Sequence, residues 1–421
     1  MLRFKAPASF SSEYEPPPSK SYTHRALVAS SLADGVSTLE NPLISDDTLA
    51  TVGALRALGI RLRMRGKAIS VRPGALRAPG DVLNCRGSGT TMRFMISLAS
   101  LAESGYTVLT GGARLRERPV GPLLGALSRL GVYAISTRGN GLPPVIVRGG
   151  GMPGGAAEIS ASESSQYVSS ILLSAPGSRD GVELRVAAMV SRTYVDATLA
   201  VMRAFGAEFT REGYVSFRVE PSGYRATEFS IPGDYSSASY MMSLVAAVGG
   251  TLTVRGLGDL PQADAEITRI LEAMGAGIRR DGESVIVESN GELRGGTFNI
   301  DDSPDLLPIV AALGLLAHGR TRLEGIAHTR LKESDRPMVL AEEIRRIGGI
   351  AEVGDDWMEV EAPRSPRAVV IDDHGDHRIF MAFAVASAAF GGTFALAPST
   401  SYRKSYPGFL RDIAALGVEI W

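Results

Sequence analysis

The sequence predicts an α/β protein made of two similar domains, each built from three repeats. One layout recurs six times along the 421 residues. Its period is roughly 70 residues, and self-similarity at a fixed period indicates a repeated supersecondary unit. Each copy reads as a helix, a strand, a second helix and two further β-branched runs. A chain of this length exceeds one hydrophobic core, so we expect the repeats to divide three and three between two domains of about 200 residues.

The first helix of each repeat begins at small or polar residues. Such residues cap a helix, and glycine among them lets an anion approach the unpaired N–H groups of the first turn. We predict side-chain caps at Ser19 and Asp234. The predicted first helices begin near Ser19, Gly89, Ser164, Asp234, Asp305 and Asp376, and the strands that follow them lie at 36–39, 106–109, 182–186, 251–254, 321–323 and 393–396.

The second helix of each repeat ends at an apolar residue followed by glycine, which is the expected C-terminal cap. These glycines are Gly59, Gly131, Gly206, Gly275, Gly348 and Gly417. The sixth repeat stops without its closing strand, and only residues 2–4 and Phe10 are strand-like residues outside the repeats. We therefore expect the N-terminus to complete the sixth repeat. The sequence predicts a continuous domain at 17–230 inserted into a discontinuous domain formed by 1–16 and 231–421.

Composition limits the classes of partner. The formal net charge is -1, so any basic site is local, and neither a nucleic acid nor a membrane surface is an expected partner. No apolar run is long enough to span a bilayer, and the N-terminus lacks the apolar core of a signal peptide. Together with the single cysteine, these observations favour a cytoplasmic protein, which we expect to be a monomer. Cys85 is either a nucleophile or a small buried residue, and the second interpretation is favoured.

Cations recur close to the predicted helix starts. They are Lys20, Arg25, Arg118, Arg336, Arg378 and Lys404. A cation at a helix N-terminus opposes the helix dipole by roughly 0.3–1 kcal/mol, so helix stability does not explain them. Solvated surface charge is one explanation, and an anionic ligand is the favoured one. If equivalent ends of the repeats face one another, these cations line a cleft between the domains, and their number implies more than one anionic group.

Carboxylates lie among these cations. Asp305 and Glu333 suit a base and an acid whose pKa values the neighbouring charges tune. Four further carboxylates could hold a divalent metal, but Asp at a helix start is first of all a cap, so we expect no metal and no cofactor. These four are Asp301, Asp302, Asp372 and Asp373.

Seven segments carry a resemblance to one family. They are Ser19-Lys20-Ser21 with Arg25, 87–93, Glu117-Arg118-Pro119, Ser164-Ser165-Gln166, 332–336, Asp376-His377-Arg378 and 404–407. Together they resemble the 5-enolpyruvylshikimate-3-phosphate (EPSP) synthase family, over all six repeats. The resemblance implies an inverse α/β barrel of two three-repeat domains with the active site in the interdomain cleft. It also implies transfer of the enolpyruvyl group of phosphoenolpyruvate to the 5-hydroxyl of shikimate 3-phosphate, with release of phosphate.

The same resemblance implies the site residues. Shikimate 3-phosphate would contact Lys20, Ser21, Arg25, Ser164, Ser165, Gln166, Ser191, Tyr194, Asp305 and Lys332. Phosphoenolpyruvate would contact Lys20, Gly89, Arg118, Gln166, Arg336, Arg378 and Lys404. Asp305 would act as the base toward the attacking hydroxyl and Glu333 as the proton donor to the methylene carbon. Lys20 would be the third catalytic residue, and the acid and base roles can exchange between the two steps.

Departures from the family pattern concern affinity rather than reaction type. Phe94, His328, Ser334 and Arg403 differ from residues common in relatives, and none of these changes removes a charged catalytic group. Gly89 leaves space beside the phosphoenolpyruvate position, which predicts sensitivity to the inhibitor glyphosate.

Three alternatives stay open. The related transferase that acts on UDP-N-acetylglucosamine carries a reactive Cys in a loop that corresponds here to 114–119, which has none. The RNA 3′-phosphate cyclases use related repeats and a nucleophilic His, but the net charge and the placement of the carboxylates argue against them. A scaffold that binds anions without catalysis would lack Asp305 or Glu333.

Overall fold

The computed structural model describes every residue from Met1 to Trp421 and is a mixed α/β structure. The chain divides into two compact units. The continuous unit is Pro18–Ile231, and the discontinuous unit combines Met1–Pro17 with Pro232–Trp421. The longest helix has 14 residues, and none of the helices combines the length and the apolar character needed to span a membrane.

Twelve α-helices alternate with strands along the chain. They are α1 (Lys20–Ser31), α2 (Asp46–Ala57), α3 (Gly89–Ala99), α4 (Gly121–Arg129), α5 (Gln166–Ser174), α6 (Thr193–Ala204), α7 (Tyr235–Val248), α8 (Ile267–Ala273), α9 (Leu307–Gly314), α10 (Arg336–Ile347), α11 (His377–Ala389) and α12 (Phe409–Ala415).

The strands are short. They are β1 (Phe4–Lys5), β2 (Phe10–Tyr14), β3 (Ser37–Glu40), β4 (Arg61–Arg65), β5 (Ala68–Arg72), β6 (Leu83–Asn84), β7 (Tyr106–Thr110), β8 (Ala134–Ser136), β9 (Val145–Arg148), β10 (Gly155–Ala161), β11 (Val182–Met189), β12 (Phe209–Glu212), β13 (Ser216–Val219), β14 (Glu228–Ser230), β15 (Gly250–Val254), β16 (Gly277–Asp281), β17 (Ser284–Ser289), β18 (Thr297–Asn299), β19 (Arg320–Glu324), β20 (Ile350–Val353), β21 (Trp357–Glu361), β22 (Val370–Ile371), β23 (Ala395–Leu396) and β24 (Glu419–Ile420).

Five four-stranded sheets share one topology, in which a parallel pair is extended by two antiparallel strands. The continuous unit contains the sheets β14-β3-β5-β4, β6-β7-β9-β8 and β10-β11-β13-β12, and the discontinuous unit contains β2-β15-β17-β16 and β18-β19-β21-β20. All of them are open, and none closes into a barrel.

The N-terminal residues lie between the last strands of the chain. β22 and β23 form a parallel pair, Leu2 makes an antiparallel bridge to Leu396 of β23, and β1 pairs with β24 in antiparallel fashion. The first residues of the chain therefore supply the strand that the C-terminal segment lacks.

Each of the two strands next to a unit boundary pairs with a strand of its own unit. β2 directly precedes α1 in the sequence but pairs with β15 of the discontinuous unit. β14 directly precedes α7 but pairs with β3 of the continuous unit. Each of these strands thus belongs to one unit, while the helix that follows it in the sequence belongs to the other.

Three helices form the centre of each unit. In the continuous unit these are α1, α3 and α5, which pack on one another, and in the discontinuous unit they are α7, α9 and α11. Nearly all their residues are buried, which explains why their sequences are apolar or small on every face. Their N-terminal turns therefore come close together within each unit.

Helix starts follow the sequence prediction with one correction. Asp234 accepts a hydrogen bond from the N–H of Ser237, as expected, but Ser19 makes no cap hydrogen bond and its buried hydroxyl has no partner. The prediction of a Ser19 cap was wrong because only the backbone carbonyl of Ser19 bonds to α1, at Thr23. The helix predicted to begin near Asp305 starts with a 3₁₀ turn at Pro304–Leu306, which α9 continues from Leu307.

The six predicted glycine caps all follow their helices in left-handed conformations, with φ between +75° and +108°. Such angles favour glycine, because a Cβ atom would strain the backbone there. They explain why these second helices end where the sequence pattern indicates.

Candidate active site

In the continuous unit, the first turns of α3 and α5 are joined by side chains. Nη1 of Arg93 donates to Oε1 of Gln166 at 3.1 Å, and Nε2 of Gln166 donates to Oγ1 of Thr90 at 3.2 Å. Arg93 also lies over the ring of Tyr167, 5.4 Å from its centroid. The glycine-rich turn before α3 and the Ser-Ser-Gln segment before α5 are thus brought to one place.

Arg25 of α1 is buried and donates only to neutral groups. Its Nε donates to the Thr198 hydroxyl at 2.8 Å, and its two Nη atoms donate to the carbonyls of Ser21 and Tyr194, both at 2.9 Å. Burial lowers the pKa of Arg25 to about 10, because no carboxylate compensates the charge. The Arg25 guanidinium is thus a buried positive charge that a hydroxyl and two carbonyls orient, without a carboxylate counter-ion.

Gly89 lies against two guanidinium groups. A Cβ atom at this position would be 2.7 Å from Nη1 of Arg118 and 2.7 Å from Nη1 of Arg93. Both distances are shorter than any normal contact, so a side chain here would displace both arginines. Glycine at this position therefore leaves room for two guanidinium groups at the start of α3.

Lys20 has a carboxylate partner in the continuous unit. Its Nζ lies 3.1 Å from Oδ2 of Asp47, at the first turn of α2. Sequence reasoning missed Asp47, which follows the capping Ser45 and so looked like an ordinary acidic residue of a first helical turn.

Ser164, Ser165, Ser191 and Tyr194 complete the predicted contacts in this unit. Ser164 accepts a hydrogen bond from the N–H of Gln166 at 3.3 Å. Ser191 is buried and has a φ of +55°, an uncommon angle for serine. Tyr194 lies in the first turn of α6, and its carbonyl accepts a hydrogen bond from Arg25.

In the discontinuous unit, Arg336 is the centre of an ion cluster. Its guanidinium contacts three carboxylates, each at 2.9 Å: Nη1 to Asp305, Nη2 to Glu333 and Nε to Asp376. Only 1% of Arg336 is exposed. Burial by itself lowers the pKa of Arg336, but the carboxylates of Asp376, Glu333 and Asp305 raise it further than burial lowers it.

The remaining predicted cations of this unit contact the same two carboxylates. Nη2 of Arg378 lies 2.6 Å from Oδ2 of Asp305, and Nζ of Lys332 lies 3.9 Å from Oδ1. Nζ of Lys404 lies 3.2 Å from Oε1 of Glu333. Asp305 and Glu333 are therefore both enclosed by positive charge, and both share Arg336.

Cys85, Asp372 and Asp373, for which the sequence did not favour a nucleophilic or metal-binding role, take no part in these contacts. Cys85 is buried, and burial raises the pKa of its thiol to about 12, so it is the small buried residue that we favoured. Asp372 and Asp373 accept hydrogen bonds from the N–H groups of their own loop. No group of three or more His, Cys, Asp or Glu side chains is arranged to hold a metal ion.

Two further groups were not identified from the sequence. Asp376 was considered only as a cap, but one of its oxygens caps Arg378 while the other holds Arg336. Ser236, in the first turn of α7, accepts a hydrogen bond from Arg378. Neither has a local sequence signal, because both partners lie far away in the chain.

Comparison with known proteins gives one consistent result. The sequence model of the family EPSP synthase (3-phosphoshikimate 1-carboxyvinyltransferase) matches residues 4–413. A relative named 3-phosphoshikimate 1-carboxyvinyltransferase from Methanothermobacter thermautotrophicus is 46% identical, covering 95% of this chain and 94% of the relative. A relative of the same name from Korarchaeum cryptofilum is 39% identical, covering 96% of each.

Solved structures agree with the sequence comparisons. An EPSP synthase from Acinetobacter baumannii matches with a TM-score of 0.81 at 26% identity, covering 100% of this chain and 99% of that one. The enolpyruvyl transferase NikO from Streptomyces tendae matches with a TM-score of 0.78 at 18% identity, which supports the fold alone. The α/β class and the two-domain architecture are shared with these structures.

Proposed function

The chain belongs to the EPSP synthase family, and from this premise we propose which of its residues perform the reaction. It is an enzyme of the shikimate pathway that transfers the carboxyvinyl group of phosphoenolpyruvate to shikimate 3-phosphate. The alternative acceptor, UDP-N-acetylglucosamine, is not favoured by the comparisons. The observation that carries our assignment of roles is that Asp305 and Glu333 share one buried guanidinium, that of Arg336.

We propose that both units contribute to substrate binding. Shikimate 3-phosphate is bound by Lys20, Ser21, Arg25, Ser164, Ser165, Gln166, Ser191, Tyr194, Asp305 and Lys332. Phosphoenolpyruvate is bound by Lys20, Gly89, Arg118, Gln166, Arg336, Arg378 and Lys404. The contacts among Arg93, Gln166 and Thr90 support this assignment, since they bring the starts of two helices to one place.

Asp305 and Glu333 supply the proton transfers in this proposal. Asp305 takes the proton of the 5-hydroxyl of shikimate 3-phosphate while the hydroxyl oxygen bonds to C2 of phosphoenolpyruvate. Glu333 gives a proton to the methylene carbon. In the second step Glu333 takes a proton back from that carbon as the C2–O bond to phosphate breaks, which restores the double bond. The proton held by Asp305 leaves with the phosphate. A carboxylate in general acid–base catalysis typically contributes about 10²–10⁴-fold to the rate.

The ion cluster suggests how binding prepares these groups. The carboxylates of Asp305 and Glu333 form ion pairs with Arg336, Arg378 and Lys404. Phosphate and carboxylate groups of the substrates compete for the same cations, because charge-assisted hydrogen bonds to anions are strong. Binding thus releases the two protein carboxylates from their partners, so that they can accept or donate a proton.

The finer architecture is part of the proposal. We infer that the two units form an inverse α/β barrel of three repeats each, with an active site to which both contribute. The shared topology of the five four-stranded sheets supports the repeats. We also infer that the enzyme acts as a cytoplasmic monomer without a cofactor.

The test is phosphate release from phosphoenolpyruvate by purified protein with three acceptors: shikimate 3-phosphate, shikimate and UDP-N-acetylglucosamine. We expect release only with shikimate 3-phosphate. Asp305→Ala is expected to lower kcat by about 10²–10⁴-fold, the contribution of a general base. Release with the nucleotide sugar would contradict the proposed acceptor, and an active Asp305→Ala variant would contradict the role of Asp305.

A further inference from the structure

A buried series of hydrogen-bonded side chains connects three helices of the continuous unit. Nδ1 of His24 in α1 lies 2.7 Å from Oγ1 of Thr51 in α2, and that oxygen lies 2.7 Å from Oγ1 of Thr91 in α3. The hydroxyl of Thr91 donates in turn to Oγ of Ser88, the N-cap residue of α3, at 2.8 Å. All four residues of this buried network are inaccessible to solvent, and the proposed reaction uses none of them.

The buried network lies one helical turn beyond the ion pair of Lys20 and Asp47. His24 follows Lys20 by one turn in α1, and Thr51 follows Asp47 by one turn in α2. Residues with this spacing lie on the same face of a helix. The ion pair at 3.1 Å and the hydrogen bond at 2.7 Å therefore connect α1 to α2 at two successive turns.

Thr91 connects these two helices to the start of α3. Its hydroxyl contacts Thr51 and lies 3.3 Å from the backbone carbonyl oxygen of Asp47. Its hydroxyl and its N–H both bond to Oγ of Ser88, the N–H at 3.2 Å. Gly89 lies between Ser88 and Thr91 in the chain. The buried network therefore holds the backbone on both sides of Gly89.

The donors and acceptors of the buried network follow one direction. A hydroxyl has a single proton to donate, and that of Thr91 goes to Ser88. Thr51 therefore supplies the proton between the two threonines, so the proton between His24 and Thr51 belongs to Nδ1 of His24. Burial lowers the pKa of His24 to about 3, which keeps the ring neutral, and its Nε2 is buried without a partner. Each bond of the network thus depends on the one before it.

We propose that Thr51 and Thr91 are positioning residues, which hold the start of α3 against α1 for the binding of phosphoenolpyruvate. The inference rests on the proposed function, in which Lys20 of α1 and Gly89 of α3 contact that substrate. Apolar groups of the same shape can replace both partners of a buried hydrogen bond with little loss of stability. They do not supply the fixed distance and direction of a hydrogen bond. Loss of the network therefore affects the substrate site more than the fold.

The experiment measures steady-state kinetics of phosphate release with phosphoenolpyruvate varied, for wild type, Thr51→Val and Thr91→Val. Each variant keeps the shape of the side chain and removes its hydroxyl. The KM for phosphoenolpyruvate is expected to rise about three- to tenfold in each, the scale of one hydrogen bond. The Kd of shikimate 3-phosphate alone is expected to change less than about twofold, since α3 supplies no proposed contact to it. Thr51→Ser keeps the hydroxyl and is expected to stay within about twofold of the wild-type KM.

Thr321→Val is the matched control. Thr321 is a buried threonine of β19 whose hydroxyl has no partner, so the same substitution there is expected to leave the KM unchanged. Thermal unfolding reports whether Thr51→Val folds, and if it does not, Thr91→Val decides. Unchanged KM values in both valine variants would overturn the inference. So would a Thr51→Ser variant whose KM is raised as much as that of Thr51→Val.

The double variant separates positioning from a purely structural role. It replaces both partners of the bond between Thr51 and Thr91 by apolar groups, so it is expected to unfold at no lower temperature than Thr51→Val. Its KM for phosphoenolpyruvate is expected to stay as high as in either single variant, because all three remove one series of contacts. A KM that returns to the wild-type value in the double variant would contradict positioning.

A measurement without turnover tests the buried network separately from the proposed function. NMR of the histidine ring nitrogens is expected to show the proton of His24 on Nδ1, with the signal assigned by its absence in His24→Gln. A proton on Nε2 instead would overturn the direction of the network and the inference with it. An inactive wild type would overturn the proposed function and remove the premise of the inference, whereas an active wild type with unchanged KM values in the variants would overturn the inference alone.

Discussion

The two units hold their central buried arginines in different ways. Arg25 of the continuous unit donates to a hydroxyl and two carbonyls, whereas Arg336 of the discontinuous unit contacts three carboxylates. Burial lowers the pKa of Arg25 to about 10. For Arg336, burial acts in the same direction, but the three carboxylates raise the pKa by more.

A buried cation can therefore be prepared to bind an anion in two ways. Neutral acceptors orient Arg25 and leave its charge uncompensated, so an incoming phosphate gains the full attraction. The carboxylates around Arg336 already neutralise it, so an anion binds there only by displacing them. In the second case binding also frees Asp305 and Glu333, the two groups proposed to move protons.

The largest expected effect is a loss of stability, and it tests directly whether Arg25 and Arg336 are held in different ways. Arg336→Met leaves the buried carboxylate of Asp376 without this cation and removes one of the cations around Asp305 and Glu333. It is expected to lower the free energy of unfolding by about 3–5 kcal/mol. Arg25→Met leaves only neutral acceptors and is expected to cost about 1–2 kcal/mol. Urea unfolding of both variants gives the difference.

The control for this pair is Arg269→Met, which removes an exposed arginine 3.6 Å from Glu266. Such a surface pair contributes about 0–1 kcal/mol, so a small change is expected. Equal costs for Arg25→Met and Arg336→Met would show that the charge of the acceptors does not distinguish the two sites.

A smaller effect concerns two buried histidines, one in each unit. Burial lowers the pKa of His24 and of His328 to about 3. The unfolded chain, with a histidine pKa near 6.5, binds more protons than the folded chain between these values, so stability falls as pH falls below about 6.5. From pH 7 to pH 5 each histidine is expected to cost about 2 kcal/mol of unfolding free energy.

His24→Gln tests this prediction in the continuous unit, where the imidazole bonds Thr51. The slope of unfolding free energy against pH between 7 and 5 is expected to become shallower than in wild type. Comparison with wild type cancels other groups, including Asp264, whose raised pKa acts in the opposite direction. His318→Gln is the control, because this histidine is exposed at the surface. An equal slope in His24→Gln would contradict a buried neutral His24.

The smallest expected effect concerns Gly89 of the continuous unit. Gly89→Ala places a methyl group against Arg118 and Arg93. If this chain is sensitive to glyphosate, the inhibition constant is expected to rise about tenfold, equivalent to 1.4 kcal/mol, with a smaller rise in the KM for phosphoenolpyruvate. Gly53→Ala is the control, since a Cβ atom there contacts nothing. Equal inhibition of Gly89→Ala and wild type would contradict the prediction.

Much of the local structure could be predicted because it depends on neighbouring residues. The glycines after the second helices, such as Gly59 and Gly417, mark real helix ends, and the cap at Asp234 is as predicted. The predicted cap at Ser19 was wrong, because a capping residue type does not specify where its side chain points. The helix predicted near Asp305 is present, with a 3₁₀ turn at Pro304–Leu306 ahead of α9.

By itself, the sequence determined the order of helices and strands and the family, and it predicted the residues of the site through the resemblance to that family. These follow from periodicity, caps and motifs that act within a few residues. Only the tertiary structure decided which of those residues meet. Arg336 contacts Asp305 and Asp376 across 31 and 40 positions of the chain, and Ser236 meets Arg378 across 142. Pairings over such separations depend on how whole helices pack, which no local pattern encodes.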